Sequence, residues 1–182
     1  RRVLFRSDVS LDVAFYAANH LLVKAALFLA IGVLATRGVK LSQPTFILAA
    51  LLALSLAGLT LTGGALAKLA TKAQFAGGPE ATLATLSSIG TALLMTHFLI
   101  CLAAPPPGAA QECPAGFVRF WPAVALGAML LPWTCYPAVG DVSYAFEFGN
   151  LVDGLWPVAL GVGLALVLQR FGWSLPNVPV GD

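Results

Sequence analysis

The chain has 182 residues, of which 59% are hydrophobic and only 10% are charged, and its mean hydropathy is +0.88. Ordinary soluble domains carry about 25% charged residues, so the composition excludes that class and indicates a polytopic helical membrane protein embedded in a lipid bilayer. The formal net charge of +2, with no lysine–arginine run, gives no reason to expect a nucleic-acid partner.

The first seven residues do not look like natural protein. Residues 1–7 read RRVLFRS, which resembles translated sequencing-adapter DNA. We therefore predict that this stretch is an artefact outside the fold, and that the true N-terminal part of the chain is missing. Residues 8–182 are expected to form a single all-α transmembrane domain.

Apolar segments separated by glycine, proline and charged residues predict about five membrane spans. The first predicted span covers residues 10–36. The second covers residues 44–75, with Pro44 in its first turn. The three remaining spans are predicted over residues 81–103, 117–136 and 151–170.

Two local patterns predict how these spans pack. Ala49, Ala53 and Ala57 recur every four residues, which favours close approach of another helix. Trp121 and Trp133 lie near the two ends of the fourth span, as aromatic residues do when they anchor a helix at the membrane surface.

The second span is predicted to be discontinuous near Gly63-Gly64. Two adjacent glycines at membrane depth favour a helix break, and Lys68 follows four residues after the second glycine. A helix that breaks inside the bilayer, with a cation on the next turn, is typical of ion sites in transporters.

Lys68, Lys24 and His20 are the predicted proton-relay residues. A lysine at mid-bilayer costs about 2.5–3.5 kcal/mol on insertion scales, so it is rarely present without a function. Such a lysine can load and unload a proton, which arginine cannot, and histidine titrates near neutral pH without help. Lys24 and His20 lie one turn apart on the first span.

Other ionisable residues have plainer explanations. Lys72 is expected to extend to the membrane surface, because it lies near the end of its half-helix. His97 is expected to be structural, with only Cys101 at helical spacing. Glu147 and Asp153 flank a helix start, where acidic side chains stabilise the helix dipole.

Charge distribution predicts the orientation. If the five spans cross the membrane in alternating directions, four basic residues lie on one side: Arg37, Lys40, Arg119 and Arg170. Three acidic residues then lie on the other side: Asp12, Asp141 and Glu147. The excess of arginine and lysine marks the cytoplasmic side, so we expect an integral protein of a bacterial inner membrane.

No cofactor or metal is expected. Cys101, Cys113 and Cys135 have no metal-ligand spacing and form no disulfide framework. Gly161-Val-Gly163 lies in an apolar span, not after a strand, so it is not a dinucleotide fingerprint. Haem and cluster spacings are also missing from the sequence, and any redox chemistry is assigned to partner subunits.

Two motifs resemble the antiporter-like, proton-conducting membrane subunits of respiratory complex I, Mrp-type cation/proton antiporters and membrane-bound hydrogenases. Asn19-His20-Leu-Leu-Val-Lys24-Ala-Ala-Leu-Phe-Leu resembles the family pattern NHxxxKxxLFL. Ser55-Leu-Ala-Gly58-Leu followed by Gly64-Ala-Leu-Ala-Lys68 resembles the broken helix SLAGxPPxxGFxxK. The break differs from the family in carrying Leu59-Thr60-Leu61-Thr62 where the prolines stand, and Ala65 replaces the phenylalanine.

The resemblance implies a C-terminal fragment that holds most of the second of two inverted five-helix repeats. It implies that Lys68 is the proton-transfer lysine and that His20 and Lys24 connect it toward the membrane centre. The chain would then work with other membrane subunits and carry protons, with sodium as an open alternative. The competing hypothesis is a scaffold subunit that anchors redox partners without conducting, in which Glu147 or Asp153 would neutralise the buried lysines.

Overall fold

The computed structural model describes residues 2–37, 43–72, 78–103 and 115–172, and this part of the chain is all-α. It forms six α-helices: α1 (Arg2–Arg37), α2 (Gln43–Ala57), α3 (Gly63–Lys72), α4 (Pro79–Ala103), α5 (Ala115–Cys135) and α6 (Phe148–Arg170). Two short 3-10 helices, Tyr136–Ala138 and Val142–Phe146, connect α5 to α6. Lys40, Cys113 and the predicted end of the second span at residue 75 lie outside the described residues.

Three of these segments are long and apolar enough to cross a bilayer. They are Leu11–Val33 within α1, Pro79–Ala103 and Phe148–Arg170, and Pro44–Ala57 is a shorter apolar helix. An apolar helix of about 20 residues spans the hydrocarbon core, so the three long helices indicate an integral membrane protein.

The predicted interruption of the second span lies between Ala57 and Gly63, slightly before the glycine pair. Gly58 has φ +90° and Leu61 has φ +62°, and both values belong to the left-handed region that ends a right-handed helix. Gly63 and Gly64 are the first residues of α3. The Thr62 hydroxyl donates to the Leu59 carbonyl at 2.6 Å, as a threonine can where proline is missing from a helix break.

Gly64 allows the two half-helices to touch backbone to backbone. Its N–H donates to the Ser55 hydroxyl at 3.2 Å, and Ser55 is completely buried. A methyl group on Gly64 would overlap the Ser55 carbonyl oxygen. The glycine is therefore required by a close contact and not only by chain flexibility.

Small residues make the core. Ala49 and Ala53 of α2 are fully buried with Val23, Ala26 and Trp121 in a cluster that joins α1, α2 and α5. Ala57 belongs to a second cluster with Ala92 of α4 and Val158 of α6. The alanine stripe of α2 thus contacts helices on both sides, as its spacing predicts.

Trp121 does not anchor the fourth span at the membrane surface. Its side chain is 2% exposed, and its indole N–H donates to the Ala26 carbonyl at 2.8 Å. Buried tryptophan needs such a partner for its N–H, and α1 provides one. The expectation of a surface anchor was wrong for Trp121 because the spacing of aromatics along one helix does not say which face is covered.

The connection from α5 to α6 packs under α3 and α1. Tyr136 is 2% exposed and clusters with Leu66 and Ala145, and its ring centroid lies 5.9 Å from that of Phe15. Asp141 accepts a hydrogen bond from the Ser143 N–H at 2.9 Å. This bond lowers the pKa of the Asp141 carboxyl, because it stabilises the ionised form.

We expect Gly64→Ala to destabilise the protein by about 1–3 kcal/mol or more, because the added methyl meets a backbone oxygen that cannot rotate away. Gly163→Ala in α6 is the matched control, since a methyl there meets open space. It should be neutral or gain up to about 1 kcal/mol from helix propensity. SDS-induced unfolding in detergent micelles measures both, and equal stability of the two variants would contradict the close contact.

Candidate functional site

A cavity of about 800 Å³ lies beside the break in the second span. Its wall includes residues of α1, the end of α2, α3, α4 and α6, so every α-helix except α5 contributes a described residue to it. Lys68 and His20 line this cavity, and Lys72 and Asp153 line it as well. Only the scaffold hypothesis, through Asp153, placed α6 near Lys68 from the sequence.

Lys68 extends from α3 back to the end of α2. Its ammonium donates hydrogen bonds to the Ala57 carbonyl and to the Ser88 hydroxyl of α4, the latter at 2.6 Å. Ala57 is the last residue of α2, and the last carbonyls of a helix have no partner within it. A cation at this end also interacts favourably with the helix dipole, so the lysine caps the half-helix that precedes it.

Ser88 relays this contact to the backbone of α4. Its hydroxyl accepts from Lys68 and donates to the Ala84 carbonyl at 2.9 Å, so both of its hydrogen-bonding roles are used. Both partners of the Lys68 ammonium are neutral. Asp153 of α6 is paired with Lys72, and among the side chains that the structure describes Lys68 has no carboxylate partner.

Gly58 leaves the space through which the Lys68 side chain passes. A methyl group at Gly58 would overlap the outer half of that side chain, and the left-handed φ of +90° would strain any other residue type. Gly58, the residue directly after α2, thus has two roles: its left-handed conformation ends the helix, and its missing side chain leaves room for Lys68.

His20 is half-buried on α1 and faces the same cavity. Its ring stacks on Tyr16, with centroids 4.8 Å apart and an interplanar angle of 25°. The structure thus brings together two of the three predicted relay residues, Lys68 and His20.

Lys24 is not part of this cavity. It lies one turn beyond His20 on α1, and its side chain is exposed on the outside of the described helices. His20 and Lys24 lie four residues apart in one helix, as the predicted first span requires. That Lys24 takes part in the relay stays a prediction.

Asn19 belongs to the same motif as His20 and Lys24, but the sequence analysis gives it no role. The side chain is 2% exposed, and among the described residues neither its amide nitrogen nor its oxygen has a hydrogen-bond partner. The amide oxygen faces the start of α3, where a methyl group on Gly63 would lie 2.8 Å from it and 2.6 Å from Pro132. Asn19 therefore places a polar group of α1 against the first residue of α3.

Lys72 has two hydrogen-bond partners on α6, which its position near the end of a half-helix does not predict. Its ammonium donates to Asp153 and Asn150 of α6, each at 2.8 Å. No pattern within a single helix signals this contact, because the partners lie 78 and 81 positions away along the chain.

The described residues contain no group of three or more His, Cys, Asp or Glu side chains able to hold a metal ion. His97 and Cys101 face each other across one turn of α4 at 3.5 Å, and the thiol is exposed. The titratable and hydroxyl side chains that line the cavity are those of lysine, histidine, tyrosine, aspartate, serine and threonine.

No protein-family model, curated protein or solved structure matches the chain. The resemblance to antiporter-like subunits therefore stays a prediction from two motifs, and function has to be inferred from the geometry around Lys68.

We expect Ser88→Ala to destabilise the protein by about 1–2 kcal/mol, because a hydrogen bond to a charged group is lost. Ser87→Ala is the matched control: Ser87 also lines the cavity, and it is exposed. It should change the free energy of unfolding by less than about 0.5 kcal/mol. SDS titration of both variants in the same detergent measures the difference, and an unaffected Ser88→Ala protein would show that Lys68 does not depend on this hydroxyl.

Proposed function

We propose that the chain is a proton-translocating subunit of a multisubunit membrane complex, with Lys68 as the group that accepts and releases the proton. The observation that carries this proposal is the position of the Lys68 ammonium. It lies in a cavity at the break of the second span and is bound by a carbonyl and a hydroxyl.

Neutral partners suit a lysine that must change its charge. A carboxylate in contact would hold the lysine protonated, whereas a carbonyl and a hydroxyl stabilise the ammonium without fixing it in that state. The cavity has room for water, which can carry protons between Lys68 and other groups. Lysine can release its proton in such a site, and arginine cannot.

The helices support five crossings. α2 and α3 have 15 and 10 residues, or roughly 22 Å and 15 Å at 1.5 Å per residue, so together they cover a bilayer of about 30 Å. α5 has 21 residues, or roughly 31 Å, and completes the set with α1, α4 and α6. Lys68 then lies within the hydrocarbon region.

The contacts between helix ends agree with alternate threading. The N-terminal half of α1 meets the turn after α5 through Phe15 and Tyr136, and the end of α3 meets the start of α6 through Lys72 and Asp153. The acidic residues Asp141 and Glu147 belong to this end of the bundle. By the positive-inside rule this end faces away from the cytoplasm.

His20 and Lys24 supply a connection from the cavity to a neighbouring subunit. His20 lines the cavity, and Lys24 is exposed one turn away on the same helix. An ammonium facing lipid near the middle of a span is costly, so Lys24 is best explained by a partner subunit that covers it. The relay would thus run from Lys68 through His20 to Lys24 and into the partner.

The scaffold hypothesis receives less support. It predicts that a carboxylate neutralises Lys68, and the described residues place a carbonyl and a hydroxyl there instead. Asp153, one of the two candidate carboxylates in that hypothesis, is paired with Lys72.

The test is proton flux through the assembled complex. The complex is purified through a tag on this chain and reconstituted into liposomes with a trapped pH-sensitive dye, and a potassium diffusion potential drives the protons. We expect Lys68→Ala to lower the flux at least tenfold. Lys68→Arg should be nearly as inactive, because it keeps the positive charge but does not release the proton.

Arg170→Gln is the control, since it removes an exposed cation at the far end of α6. It should conduct at the wild-type rate. Recovery of the partner subunits with each variant shows that assembly is intact. Wild-type flux through an assembled Lys68→Ala complex would refute the proposal.

A further inference from the structure

A second set of polar groups lies one helical turn beyond Lys68. The Lys72 ammonium donates to the Asp153 carboxylate and to the Asn150 amide oxygen, each at 2.8 Å. The side chains of Lys72 and Asp153 are 45% and 61% exposed, whereas Lys68 is partly buried. Lys68, Lys72, Asn150 and Asp153 all line the same cavity, so its wall leads from a buried cation to an exposed ion pair.

Asn150 gives this pair a fixed position. It is 8% exposed, and its amide nitrogen donates to the Tyr144 carbonyl at 2.9 Å and to the Glu147 carboxylate at 3.4 Å. Its oxygen is thereby turned toward Lys72. An amide with both ends in use distinguishes this arrangement from two surface charges that meet by chance.

We infer that Asp153 receives the proton that leaves Lys68, and that Lys72 is a positioning residue that holds the Asp153 carboxylate at the mouth of the cavity. This inference rests on the proposed function of Lys68. It adds the direction in which the proton leaves and the group that takes it.

The transfer balances without a further reactant. An N–H bond of the Lys68 ammonium breaks, and its electron pair stays on the nitrogen. Water in the cavity carries the proton, an O–H bond forms on the Asp153 carboxylate, and the exposed acid then releases the proton to the aqueous side.

The ion pair also opposes return of the proton. When Asp153 becomes neutral, the Lys72 ammonium loses its counter-charge while it remains one turn from Lys68 on α3. Two like charges at that separation repel, which disfavours renewed protonation of Lys68 from the same side. Lys72 contacts Asp153 directly, Lys68 and His20 line the same cavity, and Glu147 contacts Asn150 on the connection to α6.

The experiment uses the same reconstituted complex, with Asp153→Asn and Asp153→Glu beside Lys68→Ala. We expect Asp153→Asn to lower the flux about tenfold and Asp153→Glu to restore at least half of it. Asp141→Asn is the matched control: it removes an exposed carboxylate from the same end of the bundle but keeps an oxygen able to accept from the Ser143 N–H. It should conduct at the wild-type rate.

Rescue by formate distinguishes a proton-accepting role of Asp153 from a purely structural one. Formate supplied on the non-cytoplasmic side is a diffusible proton acceptor and should raise the flux of Asp153→Asn severalfold. Formate should not raise the flux of Lys68→Ala. Any rise seen with that variant measures formic acid that crosses the lipid, and it is subtracted from the other measurements. Failure of formate to act on an assembled Asp153→Asn complex would overturn the inference.

The two proposals fail separately. If Lys68→Ala abolishes flux and Asp153→Asn conducts normally, the exit through Asp153 is refuted and the role of Lys68 stands. If Lys68→Ala itself conducts normally, the proposed function is refuted, and this inference falls with it.

Discussion

The rest of the structure depends on one contact, between the Lys68 ammonium and the end of α2. A helix that stops inside a membrane leaves carbonyls without partners, and each buried one costs about 1–3 kcal/mol. Lys68 satisfies the Ala57 carbonyl from the following half-helix, and Ser88 fixes the lysine from α4. The break thus explains why a lysine is tolerated, and the lysine explains why the break is tolerated. Each would be unfavourable without the other.

Much of the helical architecture could be predicted from local sequence. The apolar segments, Pro44 and the glycines predict helix bounds that differ from the observed ones by a few residues, except at the start of α1. The predicted end of the second span lies outside the described residues. The prediction was less accurate at the break. The left-handed backbone conformations fall on Gly58 and Leu61, while Gly63-Gly64 begins α3, where Gly64 touches the Ser55 backbone. A glycine needed for a turn and a glycine needed for contact look alike in a sequence.

The site could be predicted only in part. The depth of Lys68 and the spacing of His20 within apolar spans single them out, because a charge in an apolar span is conspicuous. Ser88 and Asn150 have no such signal, since serine and asparagine occur widely in membrane helices and their partners lie far away in the chain. The pairing of Lys72 with Asp153 joins positions that only the packing of α3 against α6 brings together. Sequence therefore singled out Lys68 and His20, but not the neutral groups beside Lys68 or the pair of Lys72 and Asp153.

The outward position of Lys24 has a consequence for how the protein persists in the cell. Lys24 lies roughly 13 Å from the nearer end of the apolar segment Leu11–Val33, which is farther than its side chain reaches in full. A copy made in excess of its neighbours would expose this ammonium to hydrocarbon at a cost of about 2.5–3.5 kcal/mol. In the proposed complex, surplus copies would therefore present an unfavourable surface to lipid, and the amount of the chain in the membrane would depend on the supply of the subunit proposed to cover Lys24.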